Sequence, residues 1–160
     1  MLGLKLNEKD LQILRLLQEN SKFSSRSIAK KIGSPTPTVY AKIKRMEDLG
    51  VIKEYKTILD CKKLGKGTTA FIFVSFGYRP SGAEKSLDQR EIAKKIANFP
   101  EVQEIHVITG DWDILIKVKA KDVDDVGKFV VDKLRKIEGI EKTLSCMVYD
   151  AVKESLDVSL

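Results

Sequence analysis

The stretch from Ser24 to Gly50, SSRSIAKKIGSPTPTVYAKIKRMEDLG, constrains this chain most, because it breaks once, at Gly33-Ser34-Pro35, between two helix-length segments. Ile28 and Ile32 stand four residues apart, and Val39, Ile43 and Met46 recur at helical spacing. Gly33 is suited to a left-handed stop. Ser34 is expected to cap the next helix, with Pro35 at its first position, where a missing N–H costs nothing. The side opposite Val39 and Met46 presents Pro37, Ala41, Lys44 and Asp48, flanked by Thr38, Tyr40 and Arg45. An apolar back and a basic, polar front on the second of two short helices is the layout of a helix-turn-helix. In that motif one helix braces another in the DNA major groove.

The flanking sequence completes a small domain over residues 1–58. Asn7 is placed to cap a preceding helix, with Leu6 and Leu11 at the positions of a hydrophobic staple and Glu8 and Asp10 at the positive end of the dipole. Leu11, Ile13, Leu14 and Leu17 form its apolar face, and Asn20-Ser21-Lys22 ends it. Ser24 caps the second helix, Ser25 to Ile32. After Gly50, Val51 to Leu59 alternates like a strand and predicts a small wing.

Charge follows the same division. Residues 1–66 hold 15 Lys and Arg against 7 Asp and Glu, whereas the remainder holds 14 against 16. A basic front half suits phosphates and a near-neutral back half suits another task. The DNA contacts expected from this layout fall into three groups. Thr36, Thr38 and Tyr40 are placed for base edges or thymine methyls. Lys42, Lys44 and Arg45 reach phosphates or guanine edges. Ser25 and Arg26, at the start of the second helix, meet phosphate.

Residues 59–67, with Gly65 and Gly67 and no regular period, predict a hinge. Beyond it the pattern becomes strand, helix, strand, then strand, helix, strand. The strands are expected over Thr69–Tyr78, Val102–Thr109, Asp113–Lys119 and Lys142–Tyr149. The first helix begins at Ser86, with Gln89 completing a capping box, or at Asp88 with Glu91. Its inner face is Ile92, Ile96 and Phe99. The second helix runs from Val123 to Ile137, with Val126, Val130, Leu134 and Ile137 inward. The fold class is therefore α+β: an N-terminal winged helix-turn-helix and a C-terminal ferredoxin-like βαββαβ domain over residues 68–160. Two helices cover only one face of a four-stranded sheet, so the bare face is expected to pair with another copy of the chain.

Little in the sequence suggests catalysis. Cys61 and Cys146 are the only cysteines and are far apart, so a reducing compartment fits and no disulfide framework is expected. Cys146, on a strand, is read as a small buried residue. His106 is the only histidine and has no Cys or second His placed to share a metal. No phosphate loop, paired-carboxylate motif or nucleophile elbow occurs. No catalytic residue, metal or cofactor is expected. The absence of a signal peptide or a membrane-length apolar run predicts a cytoplasmic, nucleoid-associated protein with no membrane partner.

The chain resembles the Lrp/AsnC, or feast/famine, family of transcription regulators. The resemblance rests on Leu6-Asn7-Glu8-Lys9-Asp10, Ser27 to Gly33 and Ile43 to Ile52. The hinge from Leu59-Asp60 to Leu64-Gly65 and the turn Thr109-Gly110-Asp111-Trp112-Asp113 complete it. It implies homodimers formed through the sheets, often assembled into tetramers or octamers, and a small effector, usually an amino acid, held between dimers. Carried over by motif, Thr109, Gly110, Asp111 and Trp112 are the implied effector residues, and Asp122, Asp124 and Asp125 at the start of the second helix and Thr143 and Ser145 on the last strand are secondary candidates. The loop from Arg79 to Lys85 is longer than the family's usual connection. Two other readings remain at this level. One is an effector-independent architectural DNA binder. The other is a siroheme-decarboxylase-like enzyme of related fold, against which the basic recognition helix argues.

Overall fold

Apolar side chains gather in two separate cores, and the computed structural model, which describes residues 5–77 and 87–160, divides accordingly into two units. The first contains the residues up to Ile58 together with Lys153–Leu160, and the second spans Leu59–Val152.

The first unit holds α1 (Glu8–Glu19), α2 (Ser25–Ile32) and α3 (Thr36–Asp48). The Asn7 side chain accepts from the Asp10 N–H, and the Asp10 carboxylate accepts from the Asn7 N–H, closing a capping box at the start of α1. Ser24 caps α2 through the Ser27 N–H. Gly33 ends α2 in the left-handed region at φ 62°, its N–H and that of Ser34 both donating to the Ala29 carbonyl. Ile13, Leu14, Ile28, Ala29, Val39 and Met46 form the core. Each fully buried Ile or Val contributes roughly 1.5–3 kcal/mol.

Two expectations are corrected here. Ser34 does not cap α3. Pro35 takes the extended conformation before the helix, Thr36 begins it, and Pro37 falls within the first turn. The Ser34 hydroxyl is buried without a hydrogen-bond partner among the described residues. The fixed φ of Pro35 serves the approach to the helix as well as it would serve the first turn, so spacing alone does not choose between them. The wing strand is also absent. Residues 53–59 are exposed and outside any ladder, because no neighbouring strand among the described residues pairs their backbone groups.

In the second unit, residues 59–67 wind into a hydrogen-bonded turn, with Asp60 Oδ1 accepting from the N–H groups of Lys62 and Lys63. Then follow β1 (Thr68–Phe76), α4 (Gln89–Ala97), β2 (Val102–Val107), β3 (Ile114–Ala120), α5 (Val123–Lys128) and β4 (Ile140–Met147). The sheet order is β2-β3-β1-β4, antiparallel throughout, as a ferredoxin-like βαββαβ fold requires. Ala70, Ile72, Val74 and Phe76 of β1 and Ile114, Ile116, Val118 and Ala120 of β3 face the helices. Asp88 caps α4, which matches the second of the two expected starts. The Ser86 alternative, Tyr78 and the loop Arg79–Lys85 lie outside the described residues.

The helix expected over 123–137 changes character along its length. It is α to Lys128, widens to a π turn at Phe129–Lys133 and tightens to a 3₁₀ turn at Leu134–Lys136. Phe129, at the start of the widened turn, lies in the core beside Val126, Val130 and Leu134 and meets Phe99 edge-on at 5.7 Å. The other face of the sheet carries Phe71 and Phe73 of β1, Leu115 of β3, and Leu144 and Cys146 of β4, with no helix over it among the described residues. Cys146 is therefore exposed, not buried as its strand position suggested, because it lies on the edge strand opposite Phe71.

Candidate nucleic-acid interface and effector site

The polar side of α3 is free because its apolar side is docked: Val39 is fully buried and Met46 nearly so. Thr36, Thr38, Tyr40, Lys44 and Arg45 are all exposed. Lys44 pairs with Asp48 at 3.1 Å, one helical turn on, and that hydrogen bond raises its pKa. Ser25 lies at the start of α2 and shares a cleft of about 280 Å³ with Tyr40 and Lys44. Arg26 is exposed beside it. Tyr55 closes the cleft by donating to Glu47 Oε1 at 2.8 Å. Burial, and then the Glu47 carboxylate, push the Tyr55 hydroxyl up to about 12.

Lys42 differs from its neighbours. Its ammonium donates to Asp10 Oδ1 at 2.7 Å, and Asp10 is 1% exposed. Burial works to raise the Asp10 pKa, but the Lys42 hydrogen bond, the Asn7 N–H and the charges of Lys42 and Arg45 outweigh it and hold the carboxyl below its ordinary value. Lys42 thus ties α3 to α1, while Lys44 and Arg45 project from the helix. Spacing alone did not reveal this, since the sequence does not say which acidic residue of α1 turns inward.

In the second unit the turn between β2 and β3 is built by Asp113. Its carboxylate accepts from the Phe76 N–H at 2.8 Å, and its backbone joins Ile108, Val74 and the Gln89 side chain. Gly110 takes φ 126°, open to a left-handed backbone. Thr109, Gly110 and Asp111 are exposed. Trp112 is half-buried, its ring tilted against Phe73 at 6.0 Å. Beside it opens a concavity of about 530 Å³, lined by Trp112, Arg135 and residues 140–144 of β4.

Trp112 and Thr143 therefore meet around one hollow, which Thr109, Gly110 and Asp111 do not line. Asp122 and Asp125 do not join them within a protomer. Asp122 caps α5 by accepting from the Asp125 N–H, beyond the far end of β3, whose seven residues span roughly 23 Å. Asp124 pairs with Lys128, and Asp122 lies 3.8 Å from Lys121. Ser145 is exposed two residues along β4 from Thr143. Arg135, Glu141 and Lys142 also line the hollow and were not singled out in sequence, because only the tertiary fold brings the end of the second helix to the edge strand.

The two units correspond to two recognised families. Residues 6–53 match the winged helix-turn-helix DNA-binding family, and residues 69–158 match the Lrp/AsnC ligand binding domain. This chain belongs to the Lrp/AsnC family. It is similar to an uncharacterised HTH-type transcriptional regulator of Pyrococcus abyssi, with 39% identity over 151 residues covering 94% of this chain and 97% of that one. Transcriptional regulator AzlB of Bacillus subtilis is 32% identical over 159 residues, 99% of this chain and 98% of its own. Among solved structures, a transcriptional regulator of Neisseria meningitidis in complex with L-Met superposes with a TM-score of 0.87 at 26% identity, covering 97% of each chain. As an Lrp/AsnC protein, the chain is a DNA-binding transcription regulator whose second domain is of the ligand-binding type. No described helix is long and apolar enough to cross a membrane.

Proposed function

We propose that this Lrp/AsnC regulator acts as a homo-oligomer, at least a dimer, whose paired helix-turn-helix units read a roughly palindromic DNA site and whose second domains bind an amino acid. The polar face of α3 carries the first part of this reading: Thr36, Thr38, Tyr40, Lys44 and Arg45 stand exposed over a docked apolar back. Ser25 and Arg26 add phosphate contacts from α2. Lys42 contributes chiefly by holding α3 in place through Asp10. Half-site spacing follows the helical repeat, about 10 bp or a multiple.

For the second part, Trp112 at the end of the turn lines a hollow of ligand size, and the similar Neisseria meningitidis regulator was solved with L-Met. The uncovered apolar sheet face supports dimerisation. Asp122, Asp125 and Ser145 approach a turn site only if a second protomer brings them there. The protein carries out no catalysis in this reading, and its relatives are named as transcriptional regulators.

The test is selection from random duplexes at fixed salt, with and without a pool of the standard amino acids. The expected result is an enriched palindrome whose enrichment changes with one amino acid. Arg45→Ala is expected to weaken binding and lower the salt slope by about 1 while leaving the oligomer intact. An enriched site indifferent to every amino acid would remove the effector part, and no enrichment would favour the architectural reading. By linkage, bound DNA must alter the effector's affinity in return.

A further inference from the structure

The hollow at the β4 edge contains a guanidinium without a carboxylate partner among the described residues. Arg135 is exposed, and its Nε donates to Thr143 Oγ1 at 3.1 Å. That bond orients the planar group and leaves both terminal nitrogens as a fork, with no ion-pair partner among the described residues. Such a fork matches a carboxylate, which it can hold by two parallel hydrogen bonds.

An opposite charge borders the same hollow because the strand is irregular. Ser75 pairs with Lys142 and Phe76 with Ile140, so Glu141 is the extra residue of a β-bulge. A bulge turns its side chain away from the direction that strict alternation would give. Glu141 lies over the bare backbone of Gly77, where any β-carbon would overlap its carboxylate, and it lines the same hollow as Arg135. Trp112, Ile140 and Leu144 supply apolar wall. A cation fork, a second cation in Lys142, an anion and an indole around one hollow complement a zwitterion with an apolar side chain.

We infer that Arg135 and Glu141 are the charged contacts of the effector, and that the effector is an α-amino acid with an uncharged, apolar side chain. Its carboxylate meets the Arg135 fork, its ammonium meets Glu141, and its side chain lies against Trp112. This rests on the reading of the second domain as an amino-acid site, and it assigns the effector's charged ends to residues outside the turn.

Trp112 is the chain's only tryptophan, so its emission reports on the hollow directly. The full chain is titrated with each standard amino acid by fluorescence, with calorimetry for tryptophan and tyrosine, and with 4-methyl-2-oxopentanoate, which has the carboxylate and side chain of leucine but no ammonium. Apolar amino acids are expected to shift the emission, and the oxo acid to bind about tenfold or more weakly than leucine. Arg135→Ala is expected to weaken leucine binding about 10- to 100-fold, and Arg135→Lys to restore part of it. Glu141→Gln should weaken leucine while leaving the oxo acid unchanged. Preference for aspartate, glutamate or lysine overturns the assignment of class. Leucine binding that is lost in Asp111→Ala but unaffected by Arg135→Ala and Glu141→Gln overturns the assignment of residues and leaves the amino-acid reading standing. If no amino acid binds by either readout, both fall.

Discussion

One pair of side chains shows how burial changes the role of a residue. Lys42 has the same charge as Lys44 and stands two positions away, yet only Lys42 has a buried carboxylate within reach. An ion pair of this kind is weak evidence for net stability, but removing one partner leaves an uncompensated charge and costs about 3–5 kcal/mol. Lys42→Ala is therefore expected to destabilise the first unit by about 3 kcal/mol, seen as an earlier loss of helical circular dichroism in urea. Trp112 emission, which reports on the second unit, should not follow it. The sign of the pH dependence follows from Asp10. Its folded carboxyl titrates below the unfolded value of about 3.9, so the stabilisation is complete above that value and is lost as pH falls through the lower folded one. Asp10→Asn should remove that part of the acid limb; an unchanged acid profile would show that other carboxylates set it.

Among the elements, α2 and α3 were legible because their signals are local. Ser24 as cap, Gly33 as stop and the apolar spacing on both helices depend on neighbours within a turn or two. Gly33 has nothing within 4 Å of where a β-carbon would stand, so its requirement is backbone conformation alone. Gly33→Ala is expected to cost about 1 kcal/mol of stability in a urea titration, and Gly33→Asn less, because asparagine tolerates the left-handed region. Equal stability of all three would mean that the turn relaxes. The misplaced start of α3, the missing wing strand and the π turn at Phe129–Lys133 share another cause. Each depends on what packs or pairs with the segment: Val51 to Leu59 alternates correctly for a strand but finds no partner among the described residues, and the second helix widens where Phe129 and Val130 pack into the core.

For the whole molecule, the sheet face that no described helix covers is a feature that a single chain leaves unexplained. Phe71, Phe73, Leu115 and Leu144 lie on it, in register across three neighbouring strands. If this face forms the proposed dimer, Phe71→Glu places a charge in its midst and should shift sedimentation from dimer to monomer, with secondary structure retained. A dimer that survives would place the interface on another surface. The last residues of the chain, Lys153–Leu160, gather with the first unit. There Gln18 exchanges two hydrogen bonds with Val158, and Arg15 donates twice to the Leu160 carbonyl. Nothing in their composition announced this, since each contact spans at least 140 positions.

By itself the sequence determined the two-part architecture, the helix-turn-helix with its basic front, the βαββαβ order and the turn at Gly110, because periodicity, capping residues and local charge act over a few residues. Only the tertiary structure decided which cations are free and which are bound, as with Arg45 and Lys42. It also decided that Arg135, Glu141 and Trp112 share one hollow and that Asp122 lies beyond the far end of β3 from it. Those outcomes depend on which distant segments meet, and on whether a charge is brought out of water by that meeting.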